Sequence, residues 1–240
     1  MSEVKNRASV NDTLRNQIAE NLSRVQERVA SAVQRSGRSS GDVLLVTVSK
    51  TWPAPVVQLA VDTGALTLGE NRVQEAQEKV PNINGSPSWH LVGHLQRNKA
   101  KLAVSLFDTI QSVDSVRLAR EIGKHAVAAG KEVSIQLQVN TSGETSKSGV
   151  EPDDLAALVE GAMEIEGVSV EGLMTIAAHT EDEDEDRRCF ATLRGLRDRW
   201  IGQIPTIREL SMGMTGDFEV AIEEGATVVR VGTAIFGTRN

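Results

Sequence analysis

The chain has 240 residues, 40% hydrophobic and 25% charged, with a formal net charge of −7; these proportions describe a folded globular protein and exclude a disordered or fibrous one. The acidic balance argues against a general binder of nucleic acid or anionic membranes, while leaving room for a local pocket that takes an anion. Cys189 is the only cysteine, which excludes an intramolecular disulfide or a multi-thiolate zinc cluster and fits a reducing cytoplasm; no stretch has the apolar length of a signal peptide or membrane span.

Residues 1–11 read as a polar, flexible leader. Asp12 or Thr13 then caps a helix whose apolar positions Leu14, Ile18, Leu22, Val25, Val29 and Val33 recur at helical spacing up to Gly37. No strand precedes it, so it is an extra helix on the outside or base of the domain. The run Leu44-Leu45-Val46-Thr47-Val48-Ser49-Lys50 has no helical period and reads as a strand buried on both faces, ending in a lysine. Pro53 suits the first turn of the helix that follows.

This pattern repeats to the C-terminus. Strands are predicted at Val43–Ser49, Leu66–Leu68, Ser88–Leu91, Thr109–Gln111, Val133–Val139, Val168–Leu173, Thr206–Leu210 and Thr227–Val231. Helices are predicted over 53–63, 71–80, 97–105, 114–129, 152–163, 183–201 and 216–224, with a short turn after Gly237. Eight strands with crossover helices point to an α/β fold, a single-domain (β/α)8 TIM-type barrel with an extra N-terminal helix. An open doubly wound sheet is the alternative. The acidic run 181–186 reads as a solvated loop entering a helix, where the dipole favours carboxylates, rather than as a metal site.

Chemistry gathers at the strand ends. Lys50 stands where parallel sheets bind ligands, and a partly desolvated amine there could form a Schiff base with an aldehyde; snorkelling or pairing with a carboxylate is the plainer reading. After the second strand, Asn71 can cap a helix or offer its amide to a ligand. The third strand runs into a dense polar segment, in which His90 suits a pocket wall or an orienting hydrogen bond. His94, His125 and His179 have no metal-ligand spacing, so no metal is expected. Ser211-Met212-Gly213-Met214-Thr215-Gly216-Asp217 and Arg230-Val231-Gly232-Thr233 read as a phosphate cradle, with ordinary glycine turns as the alternative. In a closed barrel strand eight lies beside strand one, so amine and cradle together suit a phosphorylated aldehyde.

The segments Val48-Ser49-Lys50, Gly69-Glu70-Asn71, Trp89-His90-Leu91-Val92-Gly93-His94-Leu95-Gln96-Arg97-Asn98-Lys99, Gly172-Leu173-Met174-Thr175, Leu210-Ser211-Met212-Gly213-Met214 and Val229-Arg230-Val231-Gly232-Thr233, in this order and spacing, closely resemble the pyridoxal phosphate homeostasis proteins. The resemblance implies a barrel of the alanine-racemase type, fold-type III among pyridoxal-phosphate proteins, carrying pyridoxal 5′-phosphate on Lys50. It places the phosphate on Ser211, Gly213, Gly232 and Thr233, Asn71 near the ring, Met174 near its face and Arg230 near the pyridine nitrogen. An arginine there disfavours a second adjacent cation and weakens the ring as an electron sink. Arg72 departs from the aromatic residue expected at its position in many relatives.

The resemblance further implies a role in intracellular vitamin B6 and amino-acid homeostasis, binding the cofactor and delivering it to pyridoxal-phosphate-dependent apoenzymes, without established catalysis. A racemase-like enzyme acting on amino acids is the alternative. The two-base racemase needs a tyrosine from a partner subunit's separate domain, and this chain has no tyrosine. A class I aldolase would leave the resemblance unexplained. No segment reads as an interface, so a monomer is expected.

Overall fold

The computed structural model describes residues 2–39, 41–144, 147–178 and 182–238, and for 2–11 only the course of a helix. That helix, α1 (Ser2–Arg35), precedes the sheet. It starts at Ser2 and not at Asp12 or Thr13, so the reading of 1–11 as a leader gives way. Glu3, Lys5, Arg7 and Ala8 are good helix formers, and neither glycine nor proline interrupts the chain before Gly37.

Eight βα units follow: β1 (Leu44–Val48) and α2 (Ala54–Asp62), β2 (Thr67–Glu70) and α3 (Val73–Lys79), β3 (Ser88–Leu91) and α4 (Ala100–Leu106), β4 (Thr109–Val113) and α5 (Val116–Ala128). The second half contains β5 (Val133–Gln138) and α6 (Leu155–Met163), β6 (Val168–Met174) and α7 (Glu183–Ile201), β7 (Glu209–Ser211) and α8 (Phe218–Glu223), β8 (Val228–Val231) and α9 (Thr233–Phe236). The strands close into a barrel in sequence order, and β8 pairs in parallel with β1, Val46 opposite Arg230. The open-sheet alternative is thereby removed.

Most boundaries shift by a few residues, and two of the shifts have a plain cause. Strand seven starts at Glu209, not Thr206, because the chain after Pro205 turns first and buries Ile207, whose N–H bonds back to the Ile204 carbonyl. The last helical turn precedes Gly237, whose φ of +88° ends it.

Alternation along the strands separates two cores. Outward residues such as Leu68, Leu91, Ile110, Leu173, Leu210 and Val229 join Ile18, Val57, Ile122, Phe190 and Phe218 of the helices in one apolar cluster. Each such side chain contributes about 1.5–3 kcal/mol by leaving water. Inside the barrel Val46, Val48, Val92 and Val228 form a separate small cluster. Helix α1 packs over α2, α8 and α9, tied by a two-bond Arg28–Glu219 pair at 3.0 and 2.7 Å and by Asn21, which donates to the Ile235 carbonyl at 3.0 Å. Among the described residues no helix is long and apolar enough to cross a membrane.

Candidate functional site

Strand β1 stops at Val48, and Lys50 stands two residues beyond it with its side chain exposed. Thr51 has φ of +68°, a left-handed conformation that costs a β-branched residue on the order of 1–3 kcal/mol and persists only where surrounding contacts hold it. Trp52 stacks on Phe236 with ring centroids 5.8 Å apart, which fastens the residues after Lys50 to α9.

The end of β8 lies alongside. A Cβ on Gly232 would sit 2.9 Å from the Val48 carbonyl oxygen, so only glycine lets the two strand ends approach this closely. Gly213 has φ of +93°, and a Cβ there would lie 2.6 Å from the Ala221 Cβ and 2.9 Å from the Phe218 Cα. Its carbonyl accepts the Arg230 N–H at 2.9 Å, joining the two glycine turns. Thr233 opens α9 and is exposed, while Met174 is fully buried and sits opposite Ser211 in the sheet register. Asn71 follows β2, and its main chain passes so near Gly93 that a Cβ on that glycine would be 2.3 Å from the Asn71 oxygen. It does not cap α3; Arg72 holds that position, without a side-chain bond to the helix.

A directed chain of hydrogen bonds crosses the barrel interior. The Arg230 guanidinium donates to the Ser211 hydroxyl at 2.5 Å and to the Thr175 carbonyl at 2.7 Å. Ser211 in turn donates to the Gln111 oxygen at 2.7 Å, and the Gln111 amide nitrogen lies 2.8 Å from His90 Nδ1. With the amide nitrogen as donor, Nδ1 must accept, so the His90 proton resides on Nε2 and the ring is neutral. Burial pushes the His90 pKa down to about 4, against the attraction of Asp108. Burial also lowers Arg230, to about 10, against the attraction of Asp217, and the guanidinium stays charged at neutral pH. A second bond holds Thr175: its hydroxyl donates to the Val139 carbonyl at 2.8 Å.

His90, Ser211 and Arg230 are thus one network, Met174 is its register neighbour, and Gly213, Gly232 and Thr233 border it. Lys50 and Asn71 stand at the rim without a hydrogen bond into that chain. Gln111 and Thr175 are members that sequence reasoning missed. The one signal for Gln111 was a large amide in the middle of the short strand Thr-Ile-Gln-Ser-Val, which the structure buries completely. His94 lies outside the network, 3.4 Å from Asp114. Among the described residues no three His, Cys, Asp or Glu side chains are grouped to hold a metal; His179 and Glu181 lie outside them. Residues 182–186 begin α7, with Asp182 capping it by accepting the Asp184 N–H, as expected for a helix entrance. A surface cleft lined by Gln96, Arg97, Asn98 and Glu121 includes none of the network residues.

The family described as alanine racemase, N-terminal domain, matches residues 15–240. A pyridoxal phosphate homeostasis protein of Aquifex aeolicus is 42% identical over 222 residues, covering 92% of this chain and 97% of that protein. The chain belongs to the pyridoxal phosphate homeostasis protein family. PipY of Synechococcus elongatus, solved with PLP bound, shares 36% identity and superposes with a TM-score of 0.80 over 92% of this chain and 100% of that one. A protein of Bifidobacterium adolescentis shares 40% identity, with a TM-score of 0.90 over 94% of this chain and 96% of that one. All the rim and network residues, from Lys50 to Thr233, fall within the matched stretch of this pyridoxal phosphate homeostasis family member.

Proposed function

We propose that this single barrel domain binds pyridoxal 5′-phosphate covalently and reversibly through Lys50 and acts in the cytoplasm as its carrier and buffer. The observation that carries this reading is the contact between the end of β1 and the turn after β8, where Gly232 meets the Val48 carbonyl. It brings the strand end that leads into Lys50 against a glycine turn that excludes side chains, which supports the reading of that lysine as the anchor.

The residues fit the group. Gly213 and Gly232 bring main chain close and Thr233 adds an exposed hydroxyl, a set suited to a phosphate; Ser211, assigned to the same group, would have to turn its hydroxyl proton away from Gln111 to join them. Met174 and Asn71 are assigned to the ring and Arg230 to its nitrogen, with His90 holding the network behind. The cofactor's aldehyde supplies the electrophile that a lysine amine can hold. Everything else is the protein's contribution: anchoring, orientation and a fixed positive charge. A guanidinium pinned by Ser211 and Thr175 opposes protonation of a nearby ring nitrogen, which favours storage over carbanion chemistry.

Borohydride treatment of the loaded protein followed by peptide mapping is expected to place the label on Lys50, and Lys50→Ala is expected to abolish it. A label on another lysine overturns the assignment. Transfer to an apoenzyme in the presence of a trap for free cofactor tests the carrier role; transfer no faster than from free pyridoxal phosphate sinks it.

The racemase-type match favours a second reading, an enzyme acting on amino acids. Such an enzyme needs a base on each cofactor face, and the chain offers no tyrosine for the second. Steady turnover of an amino acid well above the rate with free cofactor would establish it.

A further inference from the structure

We infer that α3 is a positioning element for Lys50, with Lys79 and Glu75 holding the main chain on either side of it. This rests on the reading of Lys50 as the attachment point. On the N-terminal side, the Lys79 ammonium donates to the Ser49 carbonyl at 2.7 Å and to Glu70 Oε1 at 2.5 Å, and the Ser49 hydroxyl donates to that same carboxylate oxygen at 2.7 Å. On the C-terminal side, the Glu75 carboxylate accepts the Thr51 N–H at 2.6 Å and lies 3.6 Å from the Lys79 ammonium. Residues 49 and 51 are therefore both gripped, and Lys50 between them keeps its side chain at the surface.

The grip comes from outside the barrel. Glu70 alternates with the inward Gly69, and its side chain is fully buried, as that of Lys79 is nearly so at 8% exposure. A buried ion pair adds little net stability over an apolar pair of the same volume. This one instead spends its hydrogen bonds on the backbone next to Lys50. The Glu75 bond also accounts for Thr51, which keeps a left-handed backbone that its own side chain disfavours. Lys79 and Glu75 lie four residues apart on α3, so one rigid helix carries both contacts. Holding a nucleophile's backbone in place before its partner arrives removes the ordering that attack would otherwise require.

Two ligands separate positioning from general integrity: pyridoxal 5′-phosphate, which has the aldehyde, and pyridoxine 5′-phosphate, which has the same ring and phosphate without it. Two variants are suited, Glu75→Ala, at a partly exposed side chain, and the double change Glu70→Gln with Lys79→Met, which strands no buried charge. Each is expected to slow borohydride-trappable capture of the aldehyde about tenfold or more, with pyridoxine 5′-phosphate affinity within about twofold of the parent. Glu75→Gln, which keeps an acceptor oxygen, is expected to restore most of the capture rate. Unchanged capture in both variants overturns the inference, as does an equal loss for both ligands, which marks a merely structural role. If the parent protein carries its label elsewhere than on Lys50, the attachment reading falls and takes the inference with it; a parent labelled at Lys50 with unaffected variants sinks the inference alone.

Discussion

Between strands and helices, Leu68, Leu91, Ile110 and Leu210 pack with Phe190 and Phe218 into one apolar cluster, whereas inside the barrel the apolar part shrinks to a cluster of four valines, with Met174 apart from it, beside His90, Gln111, Ser211 and Arg230. The outer layer is held by burial, which has no direction and tolerates rearrangement as long as volume is kept. The inner layer is held by hydrogen bonds, each with a donor, an acceptor and an angle. The difference teaches how the barrel divides its labour. Stability is lodged mainly in the shell and the placement of His90, Ser211 and Arg230 in the interior, while the main chain at Lys50 is held from the shell side by α3.

The sharpest way to break this division is to damage the shell alone. Phe190→Ala, at a fully buried position in the outer cluster, is expected to cost about 3–5 kcal/mol in denaturant unfolding. Below its transition it should bind pyridoxine 5′-phosphate like the parent. Weakened binding in the folded variant would show that shell and interior are not separable.

The interior should reveal itself through pH. Folded His90 stays neutral down to about pH 4, while the unfolded ring takes a proton near its ordinary 6.5. Between those values the unfolded chain binds more protons, so stability rises with pH across the window. Acidification from 6.5 to 4 therefore removes up to about 3 kcal/mol through this residue. Glu70 and Glu209, whose carboxyls burial raises, contribute the opposite slope. The telling measurement is thus the difference between parent and His90→Gln, expected to be flatter between pH 6.5 and 4. Identical slopes would place His90 outside the wired interior.

A smaller effect is expected where the two layers meet the rim. Gly232→Ala would put a methyl group 2.9 Å from the Val48 oxygen, and the forced shift is expected to cost about 1–3 kcal/mol. Unlike Phe190→Ala it should also weaken pyridoxine 5′-phosphate binding. Unaltered binding would remove Gly232 from the phosphate cradle.

The shell was largely legible in the sequence, because its signals are local. Apolar runs such as Leu44–Val48 mark strands by themselves, and helical spacing marks the faces that cover them. The strand-end position of Lys50 and the glycine turns at Gly213 and Gly232 were legible for the same reason, since a strand end and a glycine turn announce themselves within a few residues. The interior wiring was not. Gln111 and Ser211 are 100 residues apart in the chain, and neither alone shows its partner. Lys79 resembled an ordinary lysine in the last turn of a helix; its burial against Glu70 and Ser49 depends on how α3 lies on the barrel. The start of α1 was misread because a polar stretch with good helix propensity carries no apolar stripe to display it.

The closure of the barrel between β8 and β1 has a bearing on time as well as on shape. Asn21 and Ile235, which meet across that seam, are separated by 214 positions, and contacts so distant form late, after the entropy of drawing the ends together has been overcome. During synthesis Lys50 leaves the ribosome as a bare amine, long before Gly232 exists to complete its surroundings. On the proposed attachment at Lys50, the capacity to retain a phosphorylated aldehyde is expected to switch on with the last strand, and in refolding it should lag behind the recovery of helical signal.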